Sequence, residues 1–396
     1  MLNVMTTRMG MVLLAIGLFA AGPAQADGIS MVETQGIEVA LPAGWSATTK
    51  GKATILAPMK FKGRAIEVVT FKGPPPTTQE GMQKALGDKF KVTMTKEGDH
   101  NGTKVVVASA TTKTDKGDAT LDLLAMPSAN GNTVVLMSFV DADKEPTLRK
   151  ESVDVLASAR TAGPRISIEF TAPKSKDIIA PPKDYVEAFK KMGSAIDGTL
   201  ILPRPLPIKF EECGFVNAFY APKTHDIHMC HELWTYFTNL FKGAGYKDKE
   251  LDESVRGAMA FTFFHEFGHA LHGELELAVT AKGEDAADEL ATILLAQLGK
   301  PGEKMAWAAA SWFAITGDSK DNLQVRLLDE HSLHGQRFGS ILCLLYGSKK
   351  SNMADPKFMK KMGFDETRLG KCTRDYAQRY KAWNQLLEPY HRKKKK

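Results

Sequence analysis

The segment Ser254–Gly273, SVRGAMAFTFFHEFGHALHG, limits what this chain can fold into more than any other stretch. Phe263, Phe264, Phe267, Ala270 and Leu271 leave a helix here apolar nearly all round, and such a helix is buried. Yet it carries His265, Glu266 and His269, and burying two imidazoles and a carboxylate is costly unless they have partners. Helical positions i and i+4 share a face, so His265 and His269 can offer two ring nitrogens to one zinc ion. Glu266 is offset by one residue, which carries its carboxylate towards a water beside the metal rather than to the metal itself. Zinc lowers the pKa of such a water to about 7, and a glutamate can then take its proton.

A candidate for a third ligand stands downstream. Glu284-Asp285-Ala286-Ala287-Asp288 opens a second helical pattern, EDAADELATILLAQLG, in which Glu284 and Asp288 again stand at i and i+4. Glu284 can complete a His-His-Glu set that leaves a fourth position for water or substrate. Asp288 can accept the remaining N–H of a ligand histidine and fix its tautomer. The plainer reading is that these acids favour the positive end of a helix, a role Asp285 and Glu289 would fill equally well. Glu274 and Glu276 also follow His269, but extended chain beyond the helix is expected to carry them away from the metal. His225, His228 and His231 make a second cluster, in HDIHMCHEL, whose members alternate sides of a strand and do not converge. His272 and Leu275 stand where a metzincin requires Gly and His, and the repeated ExxH pairs of a di-iron bundle are absent.

HEFGH followed by ExxAD resembles the gluzincin clan of metallopeptidases, in which HExxH and a downstream Glu bind zinc. Upstream, Val216-Asn217-Ala218-Phe219-Tyr220 is similar to the thermolysin-like Asn-Ala-Phe-aromatic edge strand. That resemblance implies that Asn217, Ala218 and Tyr220 hold an extended substrate, with an unpaired strand edge supplying main-chain hydrogen bonds. The order CGxxNAFYxP, Cys, HExGH, EDxAD and two late cysteines resembles the putative-metallopeptidase families of bacterial secreted proteins, over roughly residues 165–390. Thermolysin-like enzymes steady the developing oxyanion with a downstream His and a Tyr. His331 and His334 lie in LLDEHSLHGQRFG, and His331, preceded by Asp329 and Glu330, is the candidate; otherwise it is a surface histidine.

The N-terminus reads as an export signal. A short basic start, the apolar run MGMVLLAIGLFAAG and Ala24-Gln25-Ala26 form a secretory signal peptide over residues 1–26, and the run is too short for a membrane anchor. A periplasmic or secreted location follows, with no transmembrane anchor once the signal is removed. Export makes disulfides the expected state of Cys213, Cys230, Cys343 and Cys372, which allow three pairings; pairing sequence neighbours joins Cys213 to Cys230 and Cys343 to Cys372. A four-cysteine zinc site would need CxxC pairs, and there are none. The net charge of +6 raises the question of nucleic acid. Arg8 and the cations of Arg392–Lys396 account for all of it, so the body is neutral and a nucleic-acid face is excluded.

The expected fold class is α+β. Residues 27–163 read as an antiparallel-sheet domain with two helices, TQEGMQKALGDKF and EPTLRKESVDVLASAR. Its LPAGWS opening, meander and closing helix are similar to PsbP-type domains, and the expected role is accessory. Residues 164–390 read as a mixed, mostly helical zincin-like catalytic domain, and 391–396 as a basic tail. The expectation is a zinc endopeptidase acting on polypeptides. A non-catalytic zinc protein used for binding or assembly, or an amidase acting on cell-wall bonds, is the alternative.

Overall fold

The computed structural model describes residues 30–61, 65–100, 103–114, 117–140, 145–280, 282–317, 330–349, 351 and 354–392. Residues 1–26, expected to be a signal peptide, and the Lys tail lie outside them. The fold is α+β and divides into two compact units. One takes the described residues up to Gly163 together with those from Pro389 on; the other takes Pro164–Glu388. No helix among the described residues is long and apolar enough to cross a membrane.

The first unit is built on antiparallel pairing. Strands β1 (Ser30–Thr34), β2 (Ile37–Leu41) and β10 (Arg160–Thr161) form a small sheet in the order β1-β2-β10. The larger sheet has the order β3-β4-β5-β9-β8-β7-β6, from β3 (Trp45–Lys50), β4 (Ala53–Pro58), β5 (Ile66–Phe71), β6 (Phe90–His100), β7 (Thr103–Thr114), β8 (Gly117–Pro127) and β9 (Thr133–Ser138). Central β9 is buried along its whole length. Its residues alternate between two cores: Val134 and Leu136 join Val155 and Leu156 of α2 (Pro146–Ser158), while Val135 and Met137 join Met82 of α1 (Gln79–Leu86). A sheet covered on both faces needs this continuous apolar run in place of alternation.

Sequence periodicity extends α1 to Phe90, but the helix stops at Gly87, whose φ of 78° suits a helix terminus. Phe90 instead begins β6, the sheet's edge, whose short alternation Phe90, Val92, Met94 is interrupted by a register shift between Val92 and Met94, so that only Val92 is buried.

The second unit pairs a sheet with helices. Strands β11 (Ile166–Phe170), β12 (Leu206–Glu211) and β14 (Asp226–Cys230) run parallel, and β13 (Ala218–Ala221) lies antiparallel to β14 at one edge. Helix α3 (Lys183–Asp197) connects β11 to β12, and α4 (His231–Gly243) follows β14. Then come α5 (Asp248–Glu274), α6 (Gly283–Gln297), α7 (Lys300–Thr316), α8 (His334–Gly347), α9 (Pro356–Lys361) and α10 (Glu366–Leu387). Aromatic rings join these layers: Phe189 of α3 meets Phe210 of β12 at 5.2 Å and Phe263 of α5 at 5.1 Å, both edge to face. As its composition requires, α5 is buried from Gly257 to Gly268 without interruption.

Both disulfides lie in this unit, and they leave no described cysteine free. Cys213–Cys230 closes 17 positions and Cys343–Cys372 closes 29, the latter joining α8 to α10. Gly347 permits that contact, since a Cβ there would stand 2.3 Å from the Cys372 carbonyl oxygen. Gly347→Ala must therefore separate two packed helices. We expect a loss of about 1–3 kcal/mol by urea denaturation, with both disulfides intact.

Candidate metal centre

Helices α5 and α6 bring the titratable groups together. His265 and His269 stand one turn apart on α5, with their Nε2 atoms 3.2 Å apart. Glu284, in the first turn of α6, places Oε2 3.1 Å from His265 Nε2 and Oε1 3.3 Å from His269 Nε2. The helices approach this closely because Gly268 faces Ala287; a Cβ at 268 would lie 3.1 Å from the Ala287 Cα. These spacings suit a metal ion. Tetrahedral donors about 2.0–2.2 Å from zinc stand roughly 3.3–3.5 Å from one another. Two imidazole lone pairs facing across 3.2 Å also require a cation or a proton between them. The donor set of two imidazoles and one carboxylate therefore fits zinc.

Behind the cluster lies a buried relay. His265 Nδ1 faces Asp288 Oδ1 at 2.8 Å, and Arg337 of α8 clasps the same carboxylate through Nε at 2.6 Å and Nη2 at 2.7 Å. The Arg337 guanidinium lies 4.1 Å over the Phe313 ring. Burial works against an ionised Asp288, but the hydrogen bonds from His265 and Arg337 outweigh it and hold the carboxyl at about 2. Burial likewise opposes a charged His265, yet Asp288 and Glu284 push it up to about 10 in the metal-free protein. For Glu284, burial is again overcome, here by His265, His269 and His331, and its carboxyl falls well below the usual range. Arg337 is absent from the sequence reading. Its only signal there is a single charge in the apolar stretch HGQRFGSILCLLYG.

Glu266 is buried beside the cluster, and that burial pushes its carboxyl up despite His265 and His269. Its Oε2 accepts the backbone N–H of Tyr220 at 3.0 Å, so β13 borders the site. Ala218 is buried, whereas Asn217 is exposed and accepts the Cys230 N–H through its carbonyl. The side chain of Tyr220 points elsewhere, to Glu274 at the end of α5. The helix thus continues to Glu274 where an extended chain was expected.

His331 precedes α8 and puts Nε2 2.8 Å from Glu284 Oε2, with its ring 6.2 Å from that of His265 and its side chain 46% exposed. Ser332 donates to Asp285 and tethers this segment to α6. His334 goes to Thr316 instead. The three histidines of HDIHMCHEL stay dispersed: His225 meets Glu274, His228 meets Glu211 and Asp226, and His231 meets the Thr171 carbonyl.

Residues 174–387 match a protein family described as "putative metallopeptidase". No curated protein matches the chain. Among solved structures, the solution structure of cyanobacterial PsbP (CyanoP) from Synechocystis sp. PCC 6803 is similar at 10% identity and a TM-score of 0.29, covering 37% of this chain and 99% of that one.

Arg337→Met leaves Asp288 with one partner. Metal affinity should fall about 10–100-fold in a competition titration with a chelator. The sign of the pH effect follows from the depressed carboxyl: in metal-free wild type its stabilisation is full above pH about 4 and lost as pH falls through about 2. The variant should lose part of that acid-sensitive stability, measured as a smaller fall in Tm between pH 7 and pH 3.

Proposed function

The chain belongs to the family described as "putative metallopeptidase", and from that membership we propose that it is a zinc-dependent endopeptidase in which His265, His269 and Glu284 hold the metal. The observation that carries this reading is the triangle of donor atoms 3.1–3.3 Å apart with the Glu266 carboxylate buried beside it. Zinc bound there would supply Lewis acidity, polarising a peptide carbonyl and lowering the pKa of a water.

The protein's own groups do the rest. Glu266 has one oxygen engaged by the Tyr220 N–H, which leaves Oε1 to take a proton from the attacking water and pass it to the leaving amine. Burial raises the basicity of this carboxylate, bringing it nearer to what a proton shuttle needs at neutral pH. Asp288 holds the His265 ring through Nδ1, so that Nε2 faces the metal position. His331, partly exposed at the rim of the cluster, is placed to donate to the oxyanion as the carbonyl becomes tetrahedral.

The substrate is read as an extended polypeptide lying along β13. This strand is the sheet's edge, and alternate residues aim their backbone groups outward. Since the Tyr220 N–H reaches Glu266 on that outward side, the backbone of Ala218, two residues earlier, faces the same way and can pair with a peptide, with the exposed Asn217 beside it. A zinc protein used only for assembly would need neither Glu266 nor an open edge. The signal-like N-terminus and the two disulfides support export.

Replacing Glu266 with Gln keeps the shape and removes the base. The variant should retain one metal ion per chain by elemental analysis while peptide-library cleavage falls at least about 100-fold. Wild-type cleavage by the variant, or a metal-free native preparation, would overturn the assignment.

A further inference from the structure

A hydroxyl, an imidazole and a guanidinium converge on one carboxylate at the far end of α5, outside the proposed metal cluster. Glu274 is the last residue of that helix, and its side chain is 1% exposed. The Tyr220 hydroxyl donates to Oε1 at 2.6 Å, His225 Nδ1 stands 2.8 Å from the same oxygen, and Arg204 Nε stands 2.9 Å from Oε2. Arg204 Nη1 lies 2.9 Å from His225 Nε2. Because a guanidinium only donates, that ring nitrogen accepts, and the His225 proton sits on Nδ1 facing Glu274.

Helix formation gives no reason for this carboxylate. A negative charge at a helix C-terminus opposes the macrodipole, and burial adds a desolvation cost. Its partners all come from the sheet side: Arg204 before β12, Tyr220 within β13, and His225 in the β13–β14 turn at φ 58°. The Tyr220 ring lies flush on the helix because residue 273 is Gly; a Cβ there would stand 3.1 Å from its Cε1 atom. Tyr220 is thus held twice by one helix. Its hydroxyl is fixed at Glu274, and its N–H is fixed two turns earlier at Glu266 Oε2, 3.0 Å away.

We propose that Glu274, supported by His225 and Arg204, is a positioning residue that locks Tyr220 so that the Tyr220 N–H orients the Glu266 carboxylate. The inference rests on Glu266 acting as the base. With Oε2 captured, only Oε1 is free to face the water, and its direction is set by where β13 sits on α5. The side chain of Tyr220 acts on the reaction through the strand and does not need to touch the peptide.

Two measurements on the metal-loaded full chain test this. The first is kcat and KM on a cleaved peptide; the second is amide hydrogen exchange across residues 217–221. Tyr220→Phe should keep full metal content and hold KM within about twofold, with kcat falling about 10–100-fold. The amide of residue 220 should exchange faster. Glu274→Gln, or His225→Asn if that chain does not fold, should reproduce the pattern. A role in stability alone predicts a lower Tm with unchanged kcat and unchanged exchange at residue 220, and that result would overturn the proposal. If wild type cleaves no peptide, the Glu266 reading fails by itself. The exchange comparison then still decides: faster exchange at 220 in Tyr220→Phe supports the lock, and equal exchange removes it.

Discussion

The second unit depends on one constraint: ionisable groups buried on α5 must each find a partner. His265 and Glu266 are both under a tenth exposed in a helix whose neighbours are Phe263, Phe264 and Phe267. Left unpaired, each would cost more than the packing around it returns. The fold answers by setting α6 against α5 at the smallest residues available, Gly268 opposite Ala287. That contact brings the first turn of α6 within reach of the histidines. Glu284 of that turn then meets two needs, because it faces the imidazoles and also complements the positive end of its own helix.

How much of this could be read beforehand follows from the range of each interaction. The α5 histidines and the Glu284–Asp288 pair were legible because the helical period is local and converts spacing directly into shared faces. The edge position of β13 was legible from its motif. The Tyr220–Glu274 bond was not, since it depends on α5 continuing past His272 instead of giving way to an extended loop. Strand β6 was missed for the opposite reason. Its apolar alternation is confined to Phe90, Val92 and Met94, and the polar run TKEGDH that follows has the composition of a loop. The cysteines sit between these cases: four in number left three pairings, and only tertiary proximity selects one.

Strand β13 is short, and a free four-residue strand would be a weak platform for another chain. Its surroundings make up for this. The Cys213–Cys230 disulfide ties the approach to the strand to β14, and Glu232 accepts the backbone N–H groups of Cys213 and Gly214. Cys230 N–H closes on the Asn217 carbonyl. Tyr220 is then tied to α5 at both its side chain and its backbone. An edge held this way has already lost its conformational entropy on folding, so the peptide proposed to pair with it would order mainly itself. The contact with α5 lies on the strand's outward side at Tyr220, the same side on which the backbone of Ala218 is proposed to meet a peptide.

A single pattern recurs in both units. Three deeply buried carboxylates are matched by arginines from distant parts of the chain: Asp288 by Arg337, Glu274 by Arg204, and Glu38 by Arg160 and Arg392. Removing one member of such a pair leaves a buried charge unmatched, so these contacts weigh heavily in deciding which compact arrangement is native. They also explain why periodicity finds the helices and strands but not what locks them together. A hydrophobic face can be satisfied by many neighbours. A buried carboxylate accepts few, and the arginine that meets it can be placed only once the chain has folded back. In the second unit, two of these locks bracket α5, one behind His265 through Asp288 and one at Glu274, and the residues proposed to bind metal and move the proton lie between them.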